Sequence, residues 1–371
     1  MLTIHFINVW DGDAILFERR TGRRVSRMLV DTGNDQIPRI SGLRRVTALE
    51  YLQKHGIREL DLVVITHLHV DHFSDLEEIA RHIRIRKLYS PYIPENYITG
   101  EDAVPVSNVN GDDVSSGSGD GILADKDSAA PGHASSELSA GAYAAGGGNA
   151  VRTRRFSGDP MVDKSLDGLY KCLDQWVRCI RILSREQDCV LRQTADGAAG
   201  LELLPGLAGD LILTDPAKTQ AQNAVYDRIL RGEEVSFDDM YWASKYRNPG
   251  SMRMRLSYCG RQIVMGADCF GALWERDAVP CDILKVPHHG DRKALTETLT
   301  AGLHPSYAVI SCGSEYIMRK DRPSADTISL LKRYEAQVYY TDAFAPAEEE
   351  PVIHEAVVME IREDGTIHIS D

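Results

Sequence analysis

The chain has 371 residues, 42 Lys and Arg against 55 Asp and Glu, and a net charge of −13. That length holds one large domain or two medium ones, and the acidic balance argues against long-range attraction to nucleic acid or to anionic membranes, though not against a local basic groove. The seven cysteines are odd in number, scattered and without a CxxC pair, which argues against a disulfide framework and for reduced thiols in a cytoplasm.

In chain order, MLTIHFINVWDGDAILF lacks a basic leader and is interrupted by Asp11 and Asp13, so it does not read as a secretory signal. No apolar run approaches the ~20 residues needed to span a bilayer. LTIHFINV and AILFE read as short strands. ERRTGRRVSRMLV reads as a hairpin turning near Thr21-Gly22 into a buried strand that ends at Asp31. RVTALEYLQKHG has helical apolar spacing, with Gly56 as its stop. LDLVVI is a continuous apolar run, as expected of a strand covered on both faces. SDLEEIARHI predicts a helix with Ser74 as N-cap and Glu77 three residues on, a capping box. KLYS is the next strand.

Residues 107–150 then run through Gly, Ser, Ala and Asp with few large apolar side chains. Such a stretch cannot bury enough surface to offset its ordering entropy. Residues 95–160 are therefore expected to form a flexible low-complexity insertion, a flap over a site or a passive loop, within a single domain spanning 1–371. Replacing 107–150 by a short Gly/Ser linker should leave the melting temperature nearly unchanged; a collapse in stability would show that it packs as a real element.

Order returns with a helix over SLDGLYKCLDQWVR, followed by the strands CIRIL, CVLR, LELL and DLILT and a helix over NAVYDRILRG. MRMRLSY and RQIVMGAD read as strands joined by Cys259-Gly260, and CDILKVPHHG as an apolar strand ending in histidines. PSYAVISCG, the helix SADTISLLKRY and the strands QVYYTD, HEAVVMEI and GTIHIS complete the chain.

Four strand ends carry the groups able to do chemistry: Asp31, the cluster THLHVDH with His67, His69, Asp71 and His72, then Asp268, then His288-His289. A rigid sheet positions such groups while leaving them reachable from solvent. Imidazole and carboxylate together suit Zn²⁺, with Mn²⁺ or Fe²⁺ as alternatives. A carboxylate placed between two such ions could bridge them at about 3.5–4 Å. Two basic clusters, Arg19, Arg20, Arg23, Arg24 and Arg27, and Arg81, Arg84, Arg86 and Lys87, read chiefly as solvated faces.

HLHVDH matches the HxHxDH signature of the metallo-β-lactamase superfamily. FINVWDGDAILFE, MLVDTG, VMGAD, ILKVPHHG and YAVISCGSEYIMRKDRPSADTISLLKRYEAQVYYTD further resemble the soluble C-terminal hydrolase domain of ComEC-type competence proteins and its stand-alone relatives. The resemblance implies an α/β fold, the four-layer αββα sandwich, with a metal site at the sheet edges. By position it implies that His67 and His69 hold one metal, that Asp71 and His72 hold a second, and that Asp268 bridges. His289, directly before Gly290, best fits the last histidine ligand, with the order within the pair left open; His288 would then support the site or donate a proton. Asp31 resembles the aspartate that orients the histidine turn.

There are departures. Many members supply a third histidine to the first metal, but only His82 and His133 lie between His72 and Asp268, and Asn248 in NPGS stands where that ligand is expected. The relatives' VGQGD is VWDGD here, and their Tyr-Gly-His-Pro is replaced around Asp321-Arg322-Pro323, so Arg322 could face a phosphate or carboxylate. The reading that follows is a cytoplasmic metal-dependent hydrolase using a metal-activated water, with one tight and one weaker Zn²⁺ and with Asp71, His288 and Arg322 as its catalytic residues. Its substrate would be a small molecule or a phosphodiester, with no membrane partner and nucleic acid not favoured by the net charge. The alternatives are a carboxylic ester, lactone or thioester hydrolase, and a metal-holding protein without turnover.

Overall fold

The β-branched and aromatic runs form two large sheets. A computed structural model describes residues 1–39, 42–97, 159–314, 322–342 and 354–370; the 107–150 segment, His133 and Asp321 lie outside them. The first sheet has eight strands in the order β17-β16-β1-β2-β3-β5-β7-β8. They are β1 (Leu2–Ile7), β2 (Ile15–Thr21), β3 (Arg24–Val30), β5 (Leu62–Val64), β7 (Lys87–Ser90), β8 (Val190–Gln193), β16 (Ala356–Ile361) and β17 (Ile367–Ser370). The second has seven, β15-β14-β13-β12-β11-β10-β9. They are β9 (Ala198–Leu204), β10 (Leu207–Ile212), β11 (Arg253–Tyr258), β12 (Arg261–Met265), β13 (Ile283–Lys285), β14 (Tyr307–Ile310) and β15 (Gln337–Tyr340). A two-residue pair, β4 (Glu59–Leu60) and β6 (Arg84–Ile85), stands apart.

Three buried clusters define the layers. Ile4, Phe6, Phe17, Met28 and Val30 of the first sheet pack against Leu211, Met254, Leu256 and Ile283 of the second, forming the seam between the sheets. The outer face of the first sheet (Leu16, Leu29, Val63, Leu88) is covered by Leu52, Ile79, Trp176 and Tyr226 from helices. The outer face of the second (Val264, Leu284, Ala308) is covered by Leu299, Leu303 and Leu331. The result is the four-layer αββα sandwich of the metallo-β-lactamase fold. The alternation inside–outside along β1 and β3 supplies both the seam and the helix-facing layer, as a sheet with two covered faces requires.

Several expectations need correction. The helix α1 (Ala48–Lys54) is capped by Thr47, whose side chain accepts from Glu50 N while Glu50 answers to the Thr47 N–H. The capping box expected at Ser74 is not made. A short turn of helix, α2 (Val70–Phe73), comes first, and α3 (Leu76–His82) begins after Asp75. The Ser74 hydroxyl instead donates to Gly33 O and accepts from Asp35 N. CIRIL is not a strand: it is the last third of α4 (Pro160–Glu186). Its apolar residues continue the helical spacing of Leu166, Leu169, Leu173 and Trp176, so Cys179, Ile180 and Leu183 are buried on one face. Burial of each large side chain contributes roughly 1.5–3 kcal/mol, which exceeds the few tenths separating helix and strand propensities. After α5 (Pro216–Leu230) come two helices with no counterpart among the expected elements, α6 (Phe237–Lys245) and α7 (Glu297–Leu303); α8 (Ala325–Arg333) starts at its Ser324 cap.

The seven cysteines are unpaired. No helix among the described residues is long and apolar enough to cross a membrane.

Candidate metal centre

β3, β5 and β7 run parallel in the first sheet and β12, β13 and β14 run parallel in the second. Ligands in open parallel sheets collect beyond the carboxyl ends of the strands. Here those ends deliver Asp31 after β3, His67–His72 after β5, Asp268 after β12 and His288-His289 after β13. The turns are tight. Asp31 (φ 54), Ala267 (φ 47), His288 (φ 44) and His289 (φ 55) all adopt the left-handed region without being glycine, a conformation held only where the surroundings over-determine it.

Two groups of ligand atoms share Asp268, the atoms of each lying within 4.8 Å of one another: Asp71, His72, Asp268 and His289, and His67, His69 and Asp268. His72 Nε2 lies 3.2 Å from Asp268 Oδ1, His289 Nε2 lies 3.5 Å from the same oxygen and 3.4 Å from Asp71 Oδ2, and His67 Nε2 lies 3.7 Å from Asp268 Oδ2. His67 Nε2 and His69 Nδ1 face each other at 3.0 Å.

The surrounding hydrogen bonds aim these nitrogens. Asp31 accepts from Thr66 N, from the Thr66 hydroxyl and from His72 Nδ1, each at 2.8 Å. With its proton given to Asp31, Thr66 Oγ1 can only accept from His67 Nδ1, 3.1 Å away. His289 Nδ1 donates to Ser311 O at 3.0 Å. All three rings can therefore keep a proton on Nδ1, which leaves Nε2 as the atom each would offer an ion, the arrangement that metal-binding histidines share.

These groups pass the test of fit for a cation. His72 Nε2, His289 Nε2 and Asp268 Oδ1 are buried and face one another with no partner beyond the cluster itself, a costly condition unless a proton or a cation sits among them. The electrostatics agree. Burial opposes charge on His72, yet Asp268 and Asp31 outweigh it and hold this imidazole well above its ordinary range. Burial likewise opposes charge on His289, but Asp268 and Asp71 push it up to about 9. Burial disfavours the Asp268 and Asp71 carboxylates; contacts with His72 and His289 nonetheless hold both below the usual range. Burial, with the charge of Arg247, pulls His69 down to about 3, and burial and His72 keep His67 well below its usual value. Without an ion the carboxylate side draws protons onto its imidazoles; a dication would take their place.

His288 is not in either group. Its Nε2 is 3.9 Å from Asp268 Oδ2, and its Nδ1 is 2.7 Å from Asp291 Oδ2. Asn248 Nδ2 and Arg322 Nη2 each lie 2.9 Å from His288 Nε2, so the amide of Asn248 is engaged by His288. His82 ends α3 with its ring near Glu78 O and stands apart from the cluster. The basic clusters mark the other end of the sheet: Arg24 opens β3 while Asp31 follows its close. Arg24, Arg27, Arg81 and Arg86 there pair with Asp61, Glu18, Glu77 and Glu59.

Three participants escape a reading of the motifs. Thr66 sets the His67 tautomer, and Ser311 sets that of His289. Gly12 lets the chain lie against Asp71: its φ is +113, and a Cβ there would overlap the Asp71 carbonyl. Gly12→Ala should push the Asp71 turn outward, cost about 1–3 kcal/mol through the strained φ and weaken metal binding. Chemical denaturation and a metal titration read both effects; unchanged metal affinity would show that Gly12 does not position Asp71.

Residues 8–144 match the family described as Metallo-beta-lactamase superfamily. That stretch takes in Asp31 and His67–His72 and ends before Asp268 and His289. No curated protein matches the chain. Among solved structures, the chain is similar to the metallo-beta-lactamase fold protein YhfI from Bacillus subtilis, at 10% identity and a TM-score of 0.42, over 91% of this chain and 95% of that one. It is similar to Zn²⁺-bound PqqB from Methylobacterium extorquens at 8% identity and TM-score 0.40, over 92% and 98%. It is similar to human tRNase Z, short form, at 12% identity and TM-score 0.36, over 84% and 92%.

Proposed function

We infer that a chain with this fold and this cluster is a metal-dependent hydrolase acting on a phosphodiester or another phosphate-containing substrate. The observation that carries the reading is Asp268, whose carboxylate belongs to both ligand groups, as a pair of ions bridged by one carboxylate needs. Asp71, His72, Asp268 and His289 would hold one ion; His67, His69 and Asp268 would hold the other. The mixed imidazole and carboxylate set favours Zn²⁺, with Mn²⁺ or Fe²⁺ the alternatives. When bound, such an ion supplies a Lewis acid and lowers the pKa of a coordinated water to near neutrality.

The chain's own residues supply the rest. Asp71 is the most open of the carboxylates, with its side chain 21% exposed, and is placed to take a proton from the attacking water. Arg322 and Asn248 bring N–H donors to the edge of the cluster beside His288. A ring nitrogen has one lone pair and accepts from only one of them, which leaves donor capacity for an anionic oxygen. A planar, permanently charged guanidinium suits phosphate. His288, oriented by Asp291, turns Nε2 to the same place; that nitrogen must first take a proton, releasing the N–H it accepts, before it can hand one to a leaving oxygen. The net charge and the paired basic residues at the far end of the sheet favour a small molecule over a long nucleic acid. The unpaired cysteines suit the cytoplasm.

A panel of phosphodiesters, carboxylic esters and thioesters, run with measured metal content, tests the reading. We expect phosphodiester turnover that needs the metal. Arg322→Ala should cut kcat/KM for the phosphodiester by about 10–100-fold, the worth of one hydrogen bond to a charged group, and change ester hydrolysis much less. Turnover of carboxylic esters or thioesters with none of phosphodiesters would sink the phosphate assignment, and metal-independent turnover would sink the whole reading.

A further inference from the structure

Lys285 is a lysine in the wrong place by composition. It lies in β13 between Leu284 and Val286, both fully buried, and its own side chain is 1% exposed. A charged side chain in a core strand requires a partner. The partner is Asp13, itself 2% exposed, with Lys285 Nζ at 2.7 Å from Oδ1 and 2.9 Å from Oδ2. Nζ also donates to Val286 O at 3.1 Å, and the Asp13 N–H donates to Asp71 O at 3.2 Å. The pair thus ties the loop before β2 to the Asp71 turn and to the strand that delivers His289.

Asp13 has a second set of neighbours. Its carboxylate, that of Asp31 and a ring nitrogen of His72 lie within 4.8 Å of one another and are all buried. This is a third group with metal-binding chemistry, on the Nδ1 side of His72, behind the two that share Asp268. An ion there would compete for His72. The ring gives its Nδ1 proton to Asp31 and turns Nε2 to Asp268; it cannot bind an ion through Nδ1 and keep that arrangement. Something must satisfy Asp13 without taking Nδ1.

We propose that Lys285 is the resident cation of this rear group: its ammonium occupies Asp13, keeps a divalent ion out, and so sets both the number of ions the centre takes and the tautomer of His72. This rests on the metal-dependent reading of the front cluster. Lys285 is a positioning residue, since it reaches the site only through Asp13 and the Asp71 turn.

The test is the Zn²⁺ content of full-length Lys285→Met, by elemental analysis after saturation and desalting, beside the wild type and the double variant Asp13→Asn/Lys285→Met. Lys285→Met should hold one more Zn²⁺ per chain than the wild type, and the double variant should return to the wild-type number. With Asp13 left unpaired, the single variant should melt lower when metal-free and regain stability with Zn²⁺. Equal Zn²⁺ content in Lys285→Met and wild type overturns the proposal. So does an extra ion that persists in the double variant, or a single variant that stays unfolded even in excess Zn²⁺. A wild type that binds no Zn²⁺, Mn²⁺ or Fe²⁺ would instead overturn the reading of the front cluster, and the gain of one ion in Lys285→Met would still be read separately.

Discussion

Asp268→Ala is expected to abolish metal-dependent turnover, lowering kcat/KM by about three or more orders of magnitude, the range seen when a residue central to the chemistry is removed. Asp268 is the one group common to both ligand sets. Its loss leaves three ligands on one side and two imidazoles on the other, so neither ion is held as before. Removing a mere supporting partner costs roughly 10–100-fold in metal affinity, and a shared ligand should cost more. The fold should survive. Asp268 follows β12 in a turn whose backbone N–H donates to Ser251 Oγ at 3.2 Å, a bond that alanine keeps. The sign of the charge effect can be checked as well. Asp268 is held below its ordinary range once its imidazole partners outweigh burial, so in the metal-free protein it contributes stability above the unfolded carboxylate range and loses it as pH falls through its own, lower value. Metal-free Asp268→Ala should therefore melt somewhat below the metal-free wild type at neutral pH, with the gap closing in acid. The decisive quantity is the rise in melting temperature on adding Zn²⁺. It should be large in the wild type and nearly absent in the variant. A variant that keeps full metal content and rate would show that Asp268 is no bridge.

How much of this is legible in the sequence depends on the kind of signal. The strand ends are legible because each chemical group follows an uninterrupted apolar run, and a buried parallel strand is the cheapest explanation of such a run. LVVI before THLHVDH is the clearest case, ILKVP before HHG is broken only by Lys285, and the structure brings both ends to one edge. The sandwich is legible through the resemblance more than through periodicity. What is not legible is arbitrated by tertiary packing. CIRIL has strand-like residues, but Cys179, Ile180 and Leu183 fall on the stripe that α4 already presents to the first sheet. Ser74 precedes a helical pattern, but it sits in helical geometry (φ −67, ψ −28) at the end of α2, and its Oγ accepts from Asp35 N rather than from a helix N–H. The tautomers of His67 and His289 depend on Thr66 and on a backbone carbonyl at Ser311, and no spacing rule pairs residues 22 apart. Lys285 did leave a trace: a lone lysine inside DILKVP asks for a buried carboxylate, and Asp13, one residue before the apolar run of β2, is where a second such oddity stands.

His72→Ala should remove the tightly held ion, and His67→Ala chiefly the weak one. The argument is in the ligand sets. Asp71, His72, Asp268 and His289 give four protein ligands with two carboxylates, enough to match a dication in number and in charge. His67, His69 and Asp268 give three, with a single carboxylate that is shared. Asn248, the residue placed where a further ligand is expected, turns its amide nitrogen to His288 Nε2 at 2.9 Å and is left with only a neutral amide oxygen, a weak ligand for Zn²⁺, to offer. The second ion would therefore depend on water or substrate to complete its shell. One ion should survive dialysis of the wild type, the other should need added metal, and activity should rise as it is supplied. The two variants also differ in what they do to the fold. His72 is fully buried and bonded to Asp31, so its removal opens a cavity and strands a buried carboxylate, at a cost of about 3–5 kcal/mol. His67 is held by Thr66 Oγ1, which loses only a donor and keeps its own bond to Asp31; its removal should cost less. Elemental analysis of the dialysed variants, with a denaturation curve for each, decides the assignment. Two equivalents retained by the wild type after chelator treatment, or the tight ion lost from His67→Ala and kept in His72→Ala, would reverse it.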